Sequence, residues 1–186
     1  SKLRGTTLLS THTVCDFKLL PTYHPSAVLR QWDNRPTAIA DLMKATRESA
    51  YPEIRRPPRE IWIEPSLDDI RTFIRDYVNE CKLLSVDIET SGQRITCIGF
   101  GPSNARAIVI PFDDKRSEDG NYWSSREDEV KCWNIVRQVL ENGNIKKLFQ
   151  NGAFDISFLL RAYSIKVMGA CEDTMLLSHA LQPESL

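Results

Sequence analysis

Two acidic side chains alternate with apolar ones near the end of one candidate strand. Because successive side chains of a strand point to opposite faces, Leu84, Val86 and Ile88 share one face. Asp87 and Glu89 share the other face. Two neighbouring carboxylates repel each other, and a divalent cation with oxygen ligands removes that cost. Exposed acids at a strand end are also common without any function, so this pair alone does not establish a metal site.

A second group of polar residues follows a later candidate strand. The strand ends at Asn151 and a helix is expected to begin near Ala153, so that Asp155 falls in the first helical turn. Free backbone N–H groups in that turn favour a carboxylate. Taken singly, Asp155 is explained by the helix dipole and Asn151 by helix capping. The ordered combination with the earlier acids is more specific than either group.

The elements that would position these groups follow from periodicity. Ser66 and Asp69 have the spacing of a capping box at the start of a helix. The pattern predicts strands over 61–64, 83–89, 95–100, 107–111 and 147–150, and helices over 66–78, 127–142, 154–163 and 173–181. Short gaps favour antiparallel pairing of the three strands between 83 and 111. This order predicts an α/β fold, a mixed sheet flanked by helices with a ribonuclease H-like outline.

These segments together resemble the DEDD-type 3′→5′ exonucleases, especially the proofreading domain of phage-like family A DNA polymerases. Residues 87–90 match the first motif, 151–155 match the second, and 172–177 match a segment between the second and third motifs. The resemblance implies two Mg²⁺ or Mn²⁺ ions as cofactors. In that family pattern, Asp87 bridges both metals, Glu89 binds the metal that activates water, and Asp155 serves the second metal.

The resemblance also implies a substrate and its contacts. Thr90, Asn151 and Phe154 are expected to contact the 3′ end of single-stranded DNA, and hydrolysis would release nucleoside 5′-monophosphates. Such contacts to phosphate, sugar and stacked bases do not read sequence. Asp173 is interpreted mainly as the N-cap of the last helix.

One expected part of the family pattern is missing. The third motif, with the fourth carboxylate, is expected beyond Leu186, and a polymerase domain is expected after it. Glu184 is not a substitute, because it follows Pro183 at a helix end. We therefore expect a fold that is incomplete at the C-terminus and a chain that binds metal weakly and has impaired exonuclease activity.

The front of the chain has a different texture. Residues 22–30, with His24-Pro25-Ser26, resemble the closing part of a uracil-DNA glycosylase-like domain, in which such a turn approaches DNA. The half of that family that carries the uracil pocket is absent, so uracil excision is not expected. A turn histidine without a role explains His24 equally well. We assign residues 1–49 to this fragment, the proline-rich residues 50–60 to a linker, and residues 61–186 to the exonuclease domain.

Composition limits the remaining possibilities. The 186 residues carry a net charge of −1, so no broad positive field holds nucleic acid by itself. Five cysteines without paired spacing indicate free thiols in a reducing cytoplasm, and no apolar run reaches membrane-spanning length. His12 and His179 lack partners at metal-ligand spacing, and the pair Lys146-Lys147 is expected to be solvated.

Two other functions share these features. An RNA exonuclease of the RNase D type has the same motifs, and the glycosylase-like front is the feature that favours DNA. A catalytically inactive binding or scaffolding module of the same fold is the third alternative, and uptake of Mn²⁺ by the carboxylates would distinguish it.

Overall fold

The computed structural model describes residues 3–10 and 17–181. His12 and Glu184 lie outside these residues. The described chain forms two compact units: the first unit takes the described residues up to Pro57, and the second unit spans Pro58–Leu181. Among the described helices, none is long and apolar enough to cross a membrane.

The first unit is built from short elements. They are the antiparallel strands β1 (Leu8–Leu9) and β2 (Lys18–Leu19), helix α1 (Pro25–Arg30), a 3₁₀ turn (Trp32–Asn34) and helix α2 (Arg35–Glu48). His24 caps α1, because its Nδ1 accepts a hydrogen bond from the backbone N–H of Ser26 at 3.1 Å. Buried Asp41 accepts bonds from Arg4 and Thr22 at the centre of this unit.

The second unit contains the larger sheet and four helices. Its strands are β3 (Glu60–Ile63), β4 (Leu83–Ser91), β5 (Arg94–Gly101), β6 (Arg106–Pro111), β7 (Lys146–Phe149) and β8 (Cys171–Asp173). Its helices are α3 (Leu67–Phe73), which continues as a π-helical turn (Ile74–Val78), α4 (Arg126–Glu141), α5 (Gly152–Tyr163) and α6 (Thr174–Leu181). Ser66 and Asp69 form the expected capping box at the start of α3.

The six strands lie in the order β3-β6-β5-β4-β7-β8. β4, β5 and β6 pair in antiparallel fashion as expected, whereas β3, β7 and β8 join in parallel. Apolar side chains of α3, α4 and α5 pack with the buried strand face in one hydrophobic cluster. Strand β4 lies between β5, which pairs with its residues 85–91, and β7, which pairs with its residues 83–85. The predicted mixed sheet flanked by helices is confirmed.

Three local expectations were wrong. β8 was not predicted, because three residues with two acids carry no strand alternation. The helical spacing over 127–142 places Val130 on the apolar side of α4, but Val130 is 51% exposed, and Cys132 is buried instead. Lys147 is fully buried rather than solvated: it pairs with Leu84 on the packed face, and its Nζ donates to the backbone oxygens of Asn142 and Met168.

Candidate active site

The end of β4 presents the first two acids as the alternation predicted. Asp87 and Glu89 are exposed, while Ile88 between them is buried. A register shift follows Glu89, so that Thr96 is the extra residue on β5, and its Oγ1 donates to the backbone oxygen of Glu89 at 3.1 Å. Such a bulge redirects the end of a strand. The two carboxylates therefore lie on the open face of the sheet, beside a bulge of the neighbouring strand.

The third acid reaches this strand from α5. The Oδ1 of Asp155 accepts a hydrogen bond from the backbone N–H of Ile88 at 3.1 Å, across 67 residues of sequence. The side chain is only 5% exposed. The structure thus brings Asp155 to the backbone between Asp87 and Glu89, and the helix start after β7 supplies the position.

The charges near the end of β4 influence the pKa values of neighbouring groups. Burial raises the pKa of the Asp155 carboxyl above its ordinary value, the N–H of Ile88 opposes that rise, and the charges of Asp87 and Asp173 add to it. Burial also raises the pKa of the Cys97 thiol, which lies opposite Glu89 in the sheet, and the charges of Glu89 and Asp87 add to that rise. Burial is the largest cause of both raised pKa values, and the negative charge of Asp87 adds to both.

The residues expected to contact substrate have different surroundings. Phe154 on α5 is 49% exposed, and its ring lies 5.8 Å from that of Phe158. Asn151 is exposed and has a left-handed backbone (φ 59°, ψ 43°), and its side chain makes no capping bond. Thr90 is half-buried and pairs with Ile95, and strand alternation places it on the packed side with Ile88.

One acid has more contacts than sequence reasoning assigned to it. Asp173 caps α6 as predicted, accepting from the N–H groups of Met175 and Leu176. It also accepts from the N–H groups of Asn151 and Gly152, at the start of α5. Only the resemblance of residues 172–177 to the family pattern pointed to this segment, because hydrogen bonds between distant segments leave no local signal.

The donor set of the site suits a hard cation. Asp87, Glu89 and Asp155 offer only carboxylate oxygens, which are the ligands that Mg²⁺ and Mn²⁺ prefer. Among the described residues, no three His, Cys, Asp or Glu side chains lie close enough together to hold a metal ion. The carboxylate of Asp155 is instead buried against the backbone of β4. The chemistry of the donor set therefore fits, while Asp155 is engaged with the protein.

Comparison with protein families decides the identity of this region. A family model described as 3′-5′ exonuclease matches residues 66–186. The chain belongs to this family. The match covers β4, which carries Asp87 and Glu89, and α5, which carries Asp155. The two segments that the structure brings together, β4 and α5, therefore both lie within the region that matches the exonuclease family.

Solved structures of exonucleases are similar to this chain at low sequence identity. Trypanosoma brucei RNase D is 15% identical with a TM-score of 0.51, and the alignment covers 66% of this chain and 40% of that one. The EXD2 exonuclease domain soaked in Mg and dGMP is 16% identical with a TM-score of 0.47, covering 67% and 61%. The EXD2 domain soaked in Mn is 17% identical with a TM-score of 0.47, and the alignment covers 68% of this chain and 61% of that one. This chain spans about three fifths of the EXD2 domain. No curated protein sequence matches it.

Proposed function

We propose that the second unit carries a metal-dependent 3′→5′ exonuclease site in which Asp87, Glu89 and Asp155 bind two Mg²⁺ or Mn²⁺ ions. The observation that carries this proposal is the hydrogen bond from the N–H of Ile88 to Asp155. It brings a carboxylate from α5 to the strand position between two exposed carboxylates of β4. Bringing acids from distant segments together costs free energy through repulsion and burial, and a bound cation offsets that cost.

The proposed roles follow from exposure. Asp87 and Glu89 extend from the open face and are free to reach ions and a phosphate, whereas Asp155 is held through its Oδ1 by the backbone N–H of Ile88 and offers its Oδ2 to an ion. Divalent ions at such a site lower the pKa of a water molecule and neutralise charge on the scissile phosphodiester. The protein contributes by holding the three carboxylates at one strand end.

The proposed substrate is the 3′ end of single-stranded DNA. The exposed ring of Phe154 offers a face on which a terminal base stacks, and such stacking is independent of sequence. Asn151, which is exposed one turn before Asp155, is placed to contact the sugar or phosphate of the same nucleotide. Thr90 is assigned a secondary role beside them, because it is half-buried on the packed side.

The wider setting is also part of the proposal. We assign the chain to a proofreading polymerase, with a polymerase domain that follows and a uracil-DNA glycosylase-like fragment over residues 1–49. The support is the motif order and His24-Pro25-Ser26, which lies at the start of α1. The free thiols of the four described cysteines fit a cytoplasmic location. RNA is a second candidate substrate, because Trypanosoma brucei RNase D shares the fold.

Mn²⁺ titration and 3′-end digestion test the proposal on the whole chain. Calorimetry should detect Mn²⁺ binding that Asp87→Asn abolishes and that Asp76→Asn, at an exposed acid paired with Arg75, leaves intact. A 5′-labelled DNA oligonucleotide should be shortened from its 3′ end only with metal, and a matched RNA oligonucleotide more slowly. Binding without shortening would identify an inactive module, faster loss of RNA would favour the RNase D reading, and equal binding by Asp87→Asn would overturn the site.

A further inference from the structure

The connection between β7 and α5 is unusually constrained. Asn151 adopts a left-handed backbone, which costs a non-glycine residue free energy unless its surroundings hold it there. Gly152 has no room for a side chain, since an added Cβ would lie 2.5 Å from the Cβ of Phe149. The direction in which α5 begins, and with it the position of Asp155, therefore depends on this short connection.

The carboxylate of Asp173 is bonded to this connection from the other side. Its Oδ2 accepts the N–H of Gly152 at 2.7 Å, and its Oδ1 accepts the N–H of Asn151 at 3.1 Å. The same Oδ1 accepts the N–H groups of Met175 at 2.8 Å and Leu176 at 3.4 Å. Although burial acts to raise the pKa of Asp173, these four N–H groups hold it below its ordinary value. One carboxylate thus caps α6 and holds the start of α5.

The next residue completes the attachment. The hydroxyl of Thr174 donates to the backbone oxygen of Phe149 at 3.2 Å, on the strand side of the same connection. Asp173 therefore accepts hydrogen bonds from the N–H groups that follow β7, while Thr174 donates one to the backbone oxygen of the last residue of β7. A helix cap alone needs neither contact, because capping concerns only the first turn of α6.

From these contacts we infer that Asp173 is a positioning residue for the exonuclease site. It fixes the backbone of Asn151 and Gly152, and α5 then begins in the direction that carries Asp155 to the N–H of Ile88. Asp173 acts through the backbone and touches neither ion nor substrate. The effect on metal binding rests on the proposed function, whereas the effect on the connection does not.

Two variants and a matched control test this inference on the whole chain. Asp173→Ala removes all four bonds. Asp173→Asn, with its amide oxygen at the Oδ1 position, keeps the cap of α6 but presents an NH₂ group to the N–H of Gly152. Asp69→Ala is the control, since Asp69 accepts from the N–H of Ser66 at 2.9 Å in the capping box of α3. Amide hydrogen exchange at Asn151 and Gly152 and Mn²⁺ affinity are the readouts.

Asp173→Ala should speed exchange at both Asn151 and Gly152, whereas Asp173→Asn, which keeps the Oδ1 acceptor of the Asn151 N–H, should speed exchange at Gly152. Both variants should weaken Mn²⁺ binding about tenfold or more, the usual loss when a group that orients a metal ligand is removed. Asp173→Asn should do so while the amides of α6 stay protected. Asp69→Ala should change neither readout. Unchanged exchange at Asn151 and Gly152 in both Asp173 variants would overturn the inference, as would an equal loss of Mn²⁺ affinity in Asp69→Ala. If the unaltered chain binds no Mn²⁺, the proposed function fails, and the exchange data alone still decide the positioning role.

Discussion

The two units of the chain are each stabilised by a different kind of interaction. Every buried apolar side chain of the described residues belongs to the second unit. The buried residues of the first unit are both polar, Ser10 and Asp41, and its large apolar side chains such as Leu29 and Trp32 are exposed. Since apolar burial is the main favourable term in folding, the second unit has a source of stability that the first unit lacks.

The first unit relies on polar links instead. Arg4 donates two bonds to Asp41 at 3.0 and 3.1 Å, and Thr22 adds a third at 2.8 Å. Lys18 pairs with Glu48 at 3.2 Å. Each such link contributes little net free energy beyond that of the same groups in water. We therefore expect substitutions to act through packing in the second unit and through hydrogen bonds in the first.

The largest contrast should come from matched deletions of apolar side chains. Phe73 is 0% exposed and meets the rings of Trp62 and Tyr77 edge to face. Phe73→Ala should lower the free energy of unfolding by about 3–5 kcal/mol, whereas Leu29→Ala, at a residue 77% exposed, should change it by less than about 0.5 kcal/mol. Urea denaturation measures both. An equal loss in the two variants would contradict the difference between the units.

A second contrast lies within the second unit, between two adjacent lysines. Lys147→Ala removes the donor to the backbone oxygens of Asn142 and Met168 and leaves a cavity, so it should cost about 2–4 kcal/mol. Lys146 is exposed, and Lys146→Ala should cost less than about 0.5 kcal/mol. The midpoints of unfolding in urea measure this difference in stability between the two variants. If the two variants are alike, Lys147 is not part of the core.

A third prediction concerns the polar centre of the first unit. Asp41→Asn should lose the charge that pairs with Arg4 and leave its neighbours partly unsatisfied, destabilising α2 by about 1–3 kcal/mol. Hydrogen exchange should quicken along α2 and stay unchanged along β4 and β5, because the core of the second unit is untouched. Slower or unchanged exchange in α2 would show that the polar links do not hold the first unit.

The sequence was most informative where local patterns decide structure. Alternation along β4 predicted the faces of Asp87 and Glu89, and the spacing of Ser66 and Asp69 predicted a capping box, because both depend on neighbours in sequence. The position of Asp155 in a first helical turn was predicted for the same reason. The features predicted in this way include the alternation of β4 and the positions of the acids proposed to bind metal.

Features that depend on distant partners were not predicted. The parallel pairing of β3 with β6 joins segments that no turn connects. Lysine is ordinarily exposed, so the burial of Lys147 follows only from carbonyl groups that the fold places nearby. In the same way, the capping spacing of Asp173 gave no sign that its carboxylate also reaches Gly152. Sequence reasoning proposed Asp87, Glu89 and Asp155 as site acids but missed the distant contacts that position this region.

The smallest predicted effect compares the two buried acids directly. Asp41 has a cationic partner, while Asp155 has only backbone N–H groups, that of Ile88 and its own, and lies near the charge of Asp87. Because burial raises the pKa of Asp155, its ionised form disfavours the folded state: the stability it confers is present below the unfolded pKa of about 3.9 and is lost as pH rises through the folded pKa. Asp155→Asn keeps an acceptor for Ile88 and removes that loss.

Without metal, Asp155→Asn should therefore match the unaltered chain near pH 3 and unfold at a Tm higher by a few degrees near pH 7. Asp76→Asn should show the opposite trend, because the hydrogen bond from Arg75 lowers the pKa of Asp76 and its ionised form favours the folded state. Thermal unfolding across this pH range, with EDTA present, measures both. Added Mn²⁺ should then stabilise the unaltered chain but not Asp155→Asn, since a ligand that binds only the folded state raises Tm. A lower Tm for Asp155→Asn at pH 7 without metal would mean that the fold itself stabilises the Asp155 carboxylate, so that no bound cation is needed to offset its burial.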